Sequence, residues 1–251
     1  MSFRILEITN PAEIHILNHQ LEIQSGKNKI YIPIKDLDIV ICQGPNIRLS
    51  TNDITILAQN KVLLMTLGNN YLPSSMTLSY ENNVRQTLVI QKQLTMSQRR
   101  KNILWKQIII RKIENQARAL TLLGKEGAKE LYLLSAKVRQ GDKSNIEGQA
   151  AQKYFQYLYP GLNRRCETPI NSCLNYGYSI LRSAIAKYAG AHGFLLSNGI
   201  HHKNTFNAFN LVDDLIEPFR PIVDMVATKI VSNNLTNYPK NSPASISGEM
   251  N

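Results

Sequence analysis

The chain has 251 residues, enough for one large domain or two modest ones, and 43% of them are apolar, an ordinary share for a globular protein. The net charge of +11 is unevenly placed: residues 1–84 carry 6 Lys/Arg against 7 Asp/Glu, residues 85–165 carry 17 against 5, and residues 166–251 carry 6 of each. Three cysteines, Cys42, Cys166 and Cys173, exclude a disulfide-built scaffold and match no zinc spacing, and no window approaches the roughly 18 apolar residues of a membrane span. The opening residues lack the apolar core of a signal peptide, so a soluble cytoplasmic protein with reduced thiols and no membrane partner is expected. A positive field concentrated in the middle third points to a polyanion, since neutralising phosphates releases counterions and drives binding.

Residues 1–80 read as a small β-rich domain. Residues 4–8 and 13–17 suit strands, and residues 21–24 and 30–34 flank the Gly26 turn as a hairpin. Residues 37–42 are an apolar run that ends at Gly44-Pro45. Ser50 to Asp53 offer helix caps ahead of Ile54, Leu57 and Ala58, which predicts a short helix; residues 62–67 return to strand and turn at Gly68-Asn69-Asn70. A short polar segment, 79–84, separates this domain from a larger helical one over 84–231. There the apolar spacing predicts helices over 84–98, 101–123, 126–139, 146–158, 170–189 and 205–231. Pro218 and Pro221 should end or kink the last. Residues 232–251, rich in Asn, Ser and Pro, read as an irregular tail. The fold class is α+β: a small N-terminal β-rich domain followed by a larger all-helical one.

Side chains able to carry chemistry fall in two places. Glu147 stands at the first turn of a predicted helix behind Asn145, a possible N-cap. Two readings fit it: an acid complementing the helix dipole, or a metal ligand set among phosphate-binding cations. Downstream, Gly199-Ile200-His201-His202 precedes Asp213, Asp214 and Glu217. Adjacent side chains point apart, so at most one histidine faces a site. Asp214 and Glu217 are spaced i, i+3, and Asp213 and Glu217 i, i+4, so either pair could share a helix face. Here too two readings stand: an amphipathic helix with solvated acids, including an ion pair of Arg220 with Glu217 or Asp224, or an oxygen-and-nitrogen ligand set completed by Glu147. Such a set suits Mg²⁺ or Mn²⁺ better than structural zinc. A phosphate loop, a dinucleotide fingerprint and a nucleophile elbow are all missing, which leaves a P-loop ATPase, a Rossmann dehydrogenase and an α/β-hydrolase unsupported.

Four stretches, in order, carry a specific resemblance: Asn145-Ile-Glu-Gly-Gln-Ala-Ala151, Leu174-Asn-Tyr-Gly-Tyr-Ser-Ile-Leu181, Gly199-Ile-His-His202 and Asp214-Leu-Ile-Glu-Pro-Phe-Arg-Pro221. Together they resemble the CRISPR-associated integrase and endonuclease family, and the Phe-Asn-Ala-Phe-Asn run before the acidic helix resembles its type II branch. The resemblance implies an N-terminal β domain that forms a homodimer and a helical catalytic domain. It also implies that two such dimers clamp a dimer of the small second CRISPR adaptation protein as a heterohexamer. The implied activity is insertion of short foreign DNA fragments into the repeat of a CRISPR array. The family's metal ligands map onto Glu147, His202 and Glu217, with Asp214 as an accessory acid and His201 as structural. Family members continue in ordered helix where residues 232–251 here read as irregular.

On this reading a divalent ion would act on a DNA phosphate, attacked by a 3′-hydroxyl in integration or by water in hydrolysis. Arg99, Arg100, Lys101, Arg111, Lys112, Arg164 and Arg165 are the candidates to hold backbone phosphates. The alternatives are a metal-dependent nuclease or transposase-like recombinase outside CRISPR, which would leave no product joined to a repeat, and a non-catalytic basic DNA-binding scaffold, which would take up no stoichiometric metal.

Overall fold

A computed structural model describes residues 4–68, 72–77, 85–164 and 166–237, with side chains through residue 232. All described strands precede residue 77, and from residue 86 every element is helical, so the chain is α+β as expected. The proposed boundary at 79–84 lies outside the described residues except in its flanks.

Two hairpins form most of one of the two sheets of the strand part. β2 (Ala12–Leu17) pairs antiparallel with β3 (Gln20–Ser25), and β3 with β4 (Asn28–Pro33). The first turn uses Asn18 and His19, both at positive φ, and the second uses Gly26 at φ +59. β6 (Ile47–Leu49) joins β2 in parallel to complete the order β4-β3-β2-β6. The other sheet, β1-β5-β7-β8, joins β1 (Arg4–Ile8), β5 (Leu37–Cys42) and β7 (Leu63–Leu67) in parallel, with β8 (Pro73–Met76) antiparallel at its edge. β6 and β8 were not expected. β6 has three residues, and β8 lacks apolar alternation; its backbone pairing to β7 is supplemented by a 2.6 Å Thr66–Ser75 hydroxyl contact.

β5 is apolar apart from Asp38 because both of its faces are covered. Leu37, Val40 and Cys42 join Ile14, Leu21 and Leu57 in one core. Ile39 and Ile41, with Leu63 and Met65, pack instead against Ile180 and Ala184 of helix α6 (Pro169–Ala191). Polar ties seal that junction: Lys187 pairs with Asp38, the Tyr188 hydroxyl donates to Asp38 at 2.7 Å, and that of Tyr176 donates to Glu7 at 2.7 Å.

Helix α1 (Thr51–Gln59) starts where the cap residues predict. Ser50 Oγ accepts from the Asp53 N–H at 3.1 Å, and Asp53 Oδ2 accepts from the Ser50 N–H at 2.9 Å. Asp53 is buried because its other oxygen accepts from the Ile16 N–H of β2 at 2.8 Å.

The helical part is built on α3 (Gln98–Leu122), whose Trp105, Ile109, Ile113, Ala117 and Leu120 recur at helical spacing and are buried. Against them pack α4 (Ala128–Ser135), through Leu131 and Leu134, and α5 (Ile146–Leu158), through Ile146, Ala150, Tyr154 and Leu158. α2 (Gln86–Leu94) precedes α3, and α7 (Asn210–Ile216) and α8 (Arg220–Asn237) close the described chain. The predicted helix over 205–231 is divided. Residues 203–209 form a loop held by asparagines, and Pro218 opens a 3₁₀ turn, Glu217–Phe219, between α7 and α8. The expectation of an irregular stretch from residue 232 is corrected, since α8 runs on to Asn237: after Pro221 in its first turn, neither Gly nor Pro occurs before Pro239. Residues 238–251 lie outside the described residues. Among the described residues no helix is long and apolar enough to cross a membrane.

Asp53→Ala removes a helix cap and orphans the buried Ile16 N–H. It is expected to cost about 2–3 kcal/mol of stability, read as a lower urea midpoint at unchanged slope.

Candidate metal centre

Glu147 is presented by the start of α5, and two side chains fix that start. Asn145, in the left-handed region, accepts from the Gly148 N–H at 3.2 Å, while the two carboxylate oxygens of Asp142 accept from the Ile146 and Glu147 N–H groups at 2.9 Å each. Asp142 therefore caps the helix, and the Glu147 side chain is left to reach outward. Its Oε1 accepts from Lys112 Nζ at 2.5 Å.

Glu217 comes from the turn between α7 and α8. That turn is held against α3 by Asn115, whose amide donates to the Pro218 carbonyl at 2.7 Å. Glu217 is 6% exposed. Its Oε1 accepts from Arg220 Nε at 2.9 Å, so the anticipated Glu217–Arg220 pair forms. Its Oε2 is buried, lies 2.5 Å from Lys112 Nζ and has no hydrogen-bond partner of good geometry. Burial alone would raise the Glu217 pKa, but the charges of Lys112 and Arg220 outweigh it and hold the carboxyl below its usual range. Two carboxylates from distant elements thus converge on one cation.

The histidines diverge as adjacent side chains must. His201 stacks on Trp105, with ring centroids 4.2 Å apart and planes 1° from parallel, whereas His202 meets Trp105 edge-on at 5.9 Å. His202 is oriented by Asp214, which is fully buried and accepts from four donors. Oδ1 takes the His202 N–H (3.1 Å) and Nδ1 (2.7 Å); Oδ2 takes the N–H groups of Ile200 (2.5 Å) and His201 (3.0 Å). Asp214 thereby folds the 199–202 turn around itself and leaves Nε2 of His202 for other partners. Gly199 is required there, because a Cβ would fall 2.4 Å from the His202 carbonyl oxygen and 2.8 Å from Asp214 Oδ2. The hydrogen bond to Asp214 raises the His202 pKa above 6.5, against the opposing effect of burial.

Asp213 belongs to a different structure. It takes a two-point contact from Arg182 of α6 at 2.6 and 3.0 Å and another from Asn207 at 2.6 Å, and so fastens α7 to α6. Asn210 donates to the carbonyls of Ser197, Asn204 and Asn207, which shapes the loop after the histidines.

A sequence profile described as CRISPR associated protein Cas1 matches residues 6–242. The chain belongs to the Cas1 family. A CRISPR-associated endonuclease Cas1 from Neisseria meningitidis serogroup C (strain 8013) is 34% identical over 227 residues, 90% of this chain and 75% of that protein. Among solved structures, a Cas1 protein from Thermotoga maritima superposes with a TM-score of 0.74 at 18% identity, over 92% of this chain and 80% of that one. A casposase bound to its integration product superposes with a TM-score of 0.72 at 20% identity, over 94% and 74%. These two structural likenesses show the shared fold.

The structure brings Glu147 and Glu217 to one cation, Lys112 of α3, and sets the His202 ring edge-on to Trp105 of that helix. Among the described residues no three His, Cys, Asp or Glu side chains form a ready ligand cluster, and Lys112 Nζ holds the point where the glutamates meet. The donors nevertheless suit a hard divalent ion: two carboxylates, one with a buried oxygen lacking a hydrogen bond, and an imidazole fixed through its other nitrogen. Lys112, expected among the phosphate-facing cations, is buried instead. Its place on the α3 stripe, three residues after Ile109 and four before Gln116, was the available sign of this.

The remaining cations are dispersed. Arg99 and Arg100 are exposed at the start of α3, and Lys101 beside them lines, with His202 and Lys203, an open cavity of about 300 Å³. Arg111 pairs with Glu114 at 2.8 Å. Arg164 bonds Asn171 and Asn175 and lies 5.8 Å from the Phe155 ring, whereas Arg165 lies outside the described residues. Arg220 reaches 4.9 Å over the Tyr178 ring. The Tyr178 hydroxyl donates to buried Asp224, which also accepts from Tyr154 at 2.9 Å. Gly177 allows this contact of α6 with α8, since a Cβ there would lie 2.5 Å from Val223.

Asp214→Asn leaves one acceptor oxygen for four donors. The His202 ring is expected to titrate closer to 6.5, measured by NMR. The stability this pair contributes is fully present below the unfolded pKa and is lost as pH rises through the higher folded one, so the substitution should flatten that fall. Burial pushes the Asp224 carboxyl up to about 6 against the pull of its tyrosine bonds. Between pH 3.8 and about 6 the folded state therefore holds a proton that the unfolded state has lost. Stability should fall with rising pH across that window in the wild type and stay flatter in Asp224→Asn, measured by urea unfolding.

Proposed function

We propose that this Cas1-family chain is a divalent-metal-dependent DNA endonuclease and integrase of CRISPR adaptation. The observation that carries the reading is the convergence of Glu147, from the basic middle third of the chain, and Glu217 on one point, with an Asp214-oriented His202 nearby. Glu147, Glu217 and Nε2 of His202 would hold the ion, Mg²⁺ or Mn²⁺. When bound, it polarises a DNA phosphate and lowers the pKa of the attacking oxygen.

The protein's own groups do the rest. Asp214 keeps the His202 ring in one orientation, and Arg220 keeps Glu217 in one rotamer. The cations at the start of α3, Arg99, Arg100 and Lys101, grip backbone phosphates without reading sequence. A 3′-hydroxyl oxygen on the incoming fragment forms a bond to a repeat phosphorus as the bond to the neighbouring 3′-oxygen breaks. The departing oxygen gains the proton that the attacker loses. Water in the attacker's place gives simple cutting, the activity named for the Neisseria relative. Integration as the main reaction is supported by family membership and by the fold shared with the casposase. The family also supports a homodimer formed through the strand part, with two dimers around a dimer of the small second adaptation protein.

The test is a strand-joining assay with fragment DNA, repeat DNA, the small partner and Mn²⁺. Wild type should yield repeat-joined strands that chelator abolishes. Glu147→Gln should reduce joining by about 100-fold or more, at or above the loss that follows removal of an outer partner of a metal ligand. Wild-type joining by Glu147→Gln overturns the assignment, and cutting without joined product leaves a hydrolytic nuclease.

A further inference from the structure

We infer that Lys112 is a resident counter-ion that holds the Glu147–Glu217 pair together in the metal-free protein and couples metal uptake to DNA binding. The inference rests on the metal-site reading above and deepens it.

Lys112 is only 7% exposed, on a helix stripe whose neighbours Ile109 and Ile113 are fully buried. A lysine is desolvated in this way only when its charge is answered. The answer comes from two carboxylates on different elements, each 2.5 Å from the same nitrogen. Without that cation only Arg220, on Glu217, would offset the two carboxylates, and α5 and the 217–219 turn would repel across a mostly buried gap. The ammonium therefore does in the free protein what a bound metal does in the loaded one. Both cannot stand at the same point, so a metal ion entering between the glutamates must displace Nζ.

The displaced ammonium then needs a new anion. The four-carbon stem gives it reach while its root stays in α3. The anion that the proposed reaction brings to the metal is a DNA phosphate. With DNA present, the ammonium exchanges carboxylate for phosphate and metal entry is eased. Without DNA, the displaced ammonium loses both carboxylates and gains no anion in return, so metal entry is opposed. By linkage the effect is reciprocal: metal tightens DNA as much as DNA tightens metal.

The test uses the full chain and Mn²⁺, with bound metal counted by EPR, with and without a short duplex ending in a 3′-hydroxyl. Wild type should bind Mn²⁺ about tenfold more tightly when DNA is present, within the ordinary range of coupling between two sites. Lys112→Met should bind Mn²⁺ about tenfold more tightly than wild type without DNA, with the DNA effect largely lost, and should melt at a lower temperature in the metal-free state. Lys112→Gln, which keeps a hydrogen-bonding end, should change in the same directions and serves if the methionine variant does not fold. A purely structural ion pair predicts lower melting alone. If both variants bind Mn²⁺ as wild type does, with and without DNA, the inference is overturned while the metal site stands. If wild type binds no Mn²⁺ even with DNA, the metal-site reading fails and takes the inference with it.

Discussion

Glu147 and Glu217 are about seventy residues apart in the chain and share one buried ammonium. Like charges brought this close in a partly desolvated gap are tolerable only with a cation between them. Much of the helical part serves that meeting. α3 supplies Lys112, and through Asn115 it also holds the turn that carries Glu217. Asp142 caps α5 so that Glu147 leaves the helix start at a fixed point. Arg220 takes the second Glu217 oxygen and rests on the Tyr178 ring, whose hydroxyl bonds Asp224. The site is thus continuous with the packing of α6 on α8.

Three acids within five residues have separate duties because of where their oxygens point. Asp213 faces α6 and is consumed by Arg182 and Asn207. Asp214 faces inward and is consumed by four donors of the histidine turn. Glu217 alone keeps a buried oxygen without a hydrogen bond. The strand part contributes no side chain to this set. It is tied to the helical part through α6, where Ile180 and Ala184 cover the outer face of β5 and Lys187 and Tyr188 bind Asp38.

Legibility followed the range of the interaction. The Ser50–Asp53 capping box, the Gly26 hairpin, β5 and helix α5 were readable because their signals lie within a few residues of one another. β8 was not, since its pairing is borrowed from β7. Residues 205–209 were misread as helix because the asparagines of this loop satisfy backbone groups only once Asn210 has folded back onto Ser197 and Asn204. Residues 232–237 were misread in the other direction, since polar composition does not stop a helix that meets no Gly or Pro beyond its first turn.

The sequence by itself determined the α+β order, the basic middle third and a short set of chemically able residues that includes Glu147, His202 and Glu217, because charge, periodicity and motif are local properties. Only the tertiary structure decided how those residues are used. Asp214 became the clasp behind His202, Asp213 a fastener to α6, and Lys112 moved from a supposed phosphate grip to the space between two glutamates. The physical reason is that a charged side chain takes its role from the charges that burial forces beside it, and here those come from elements that only packing against α3 brings together.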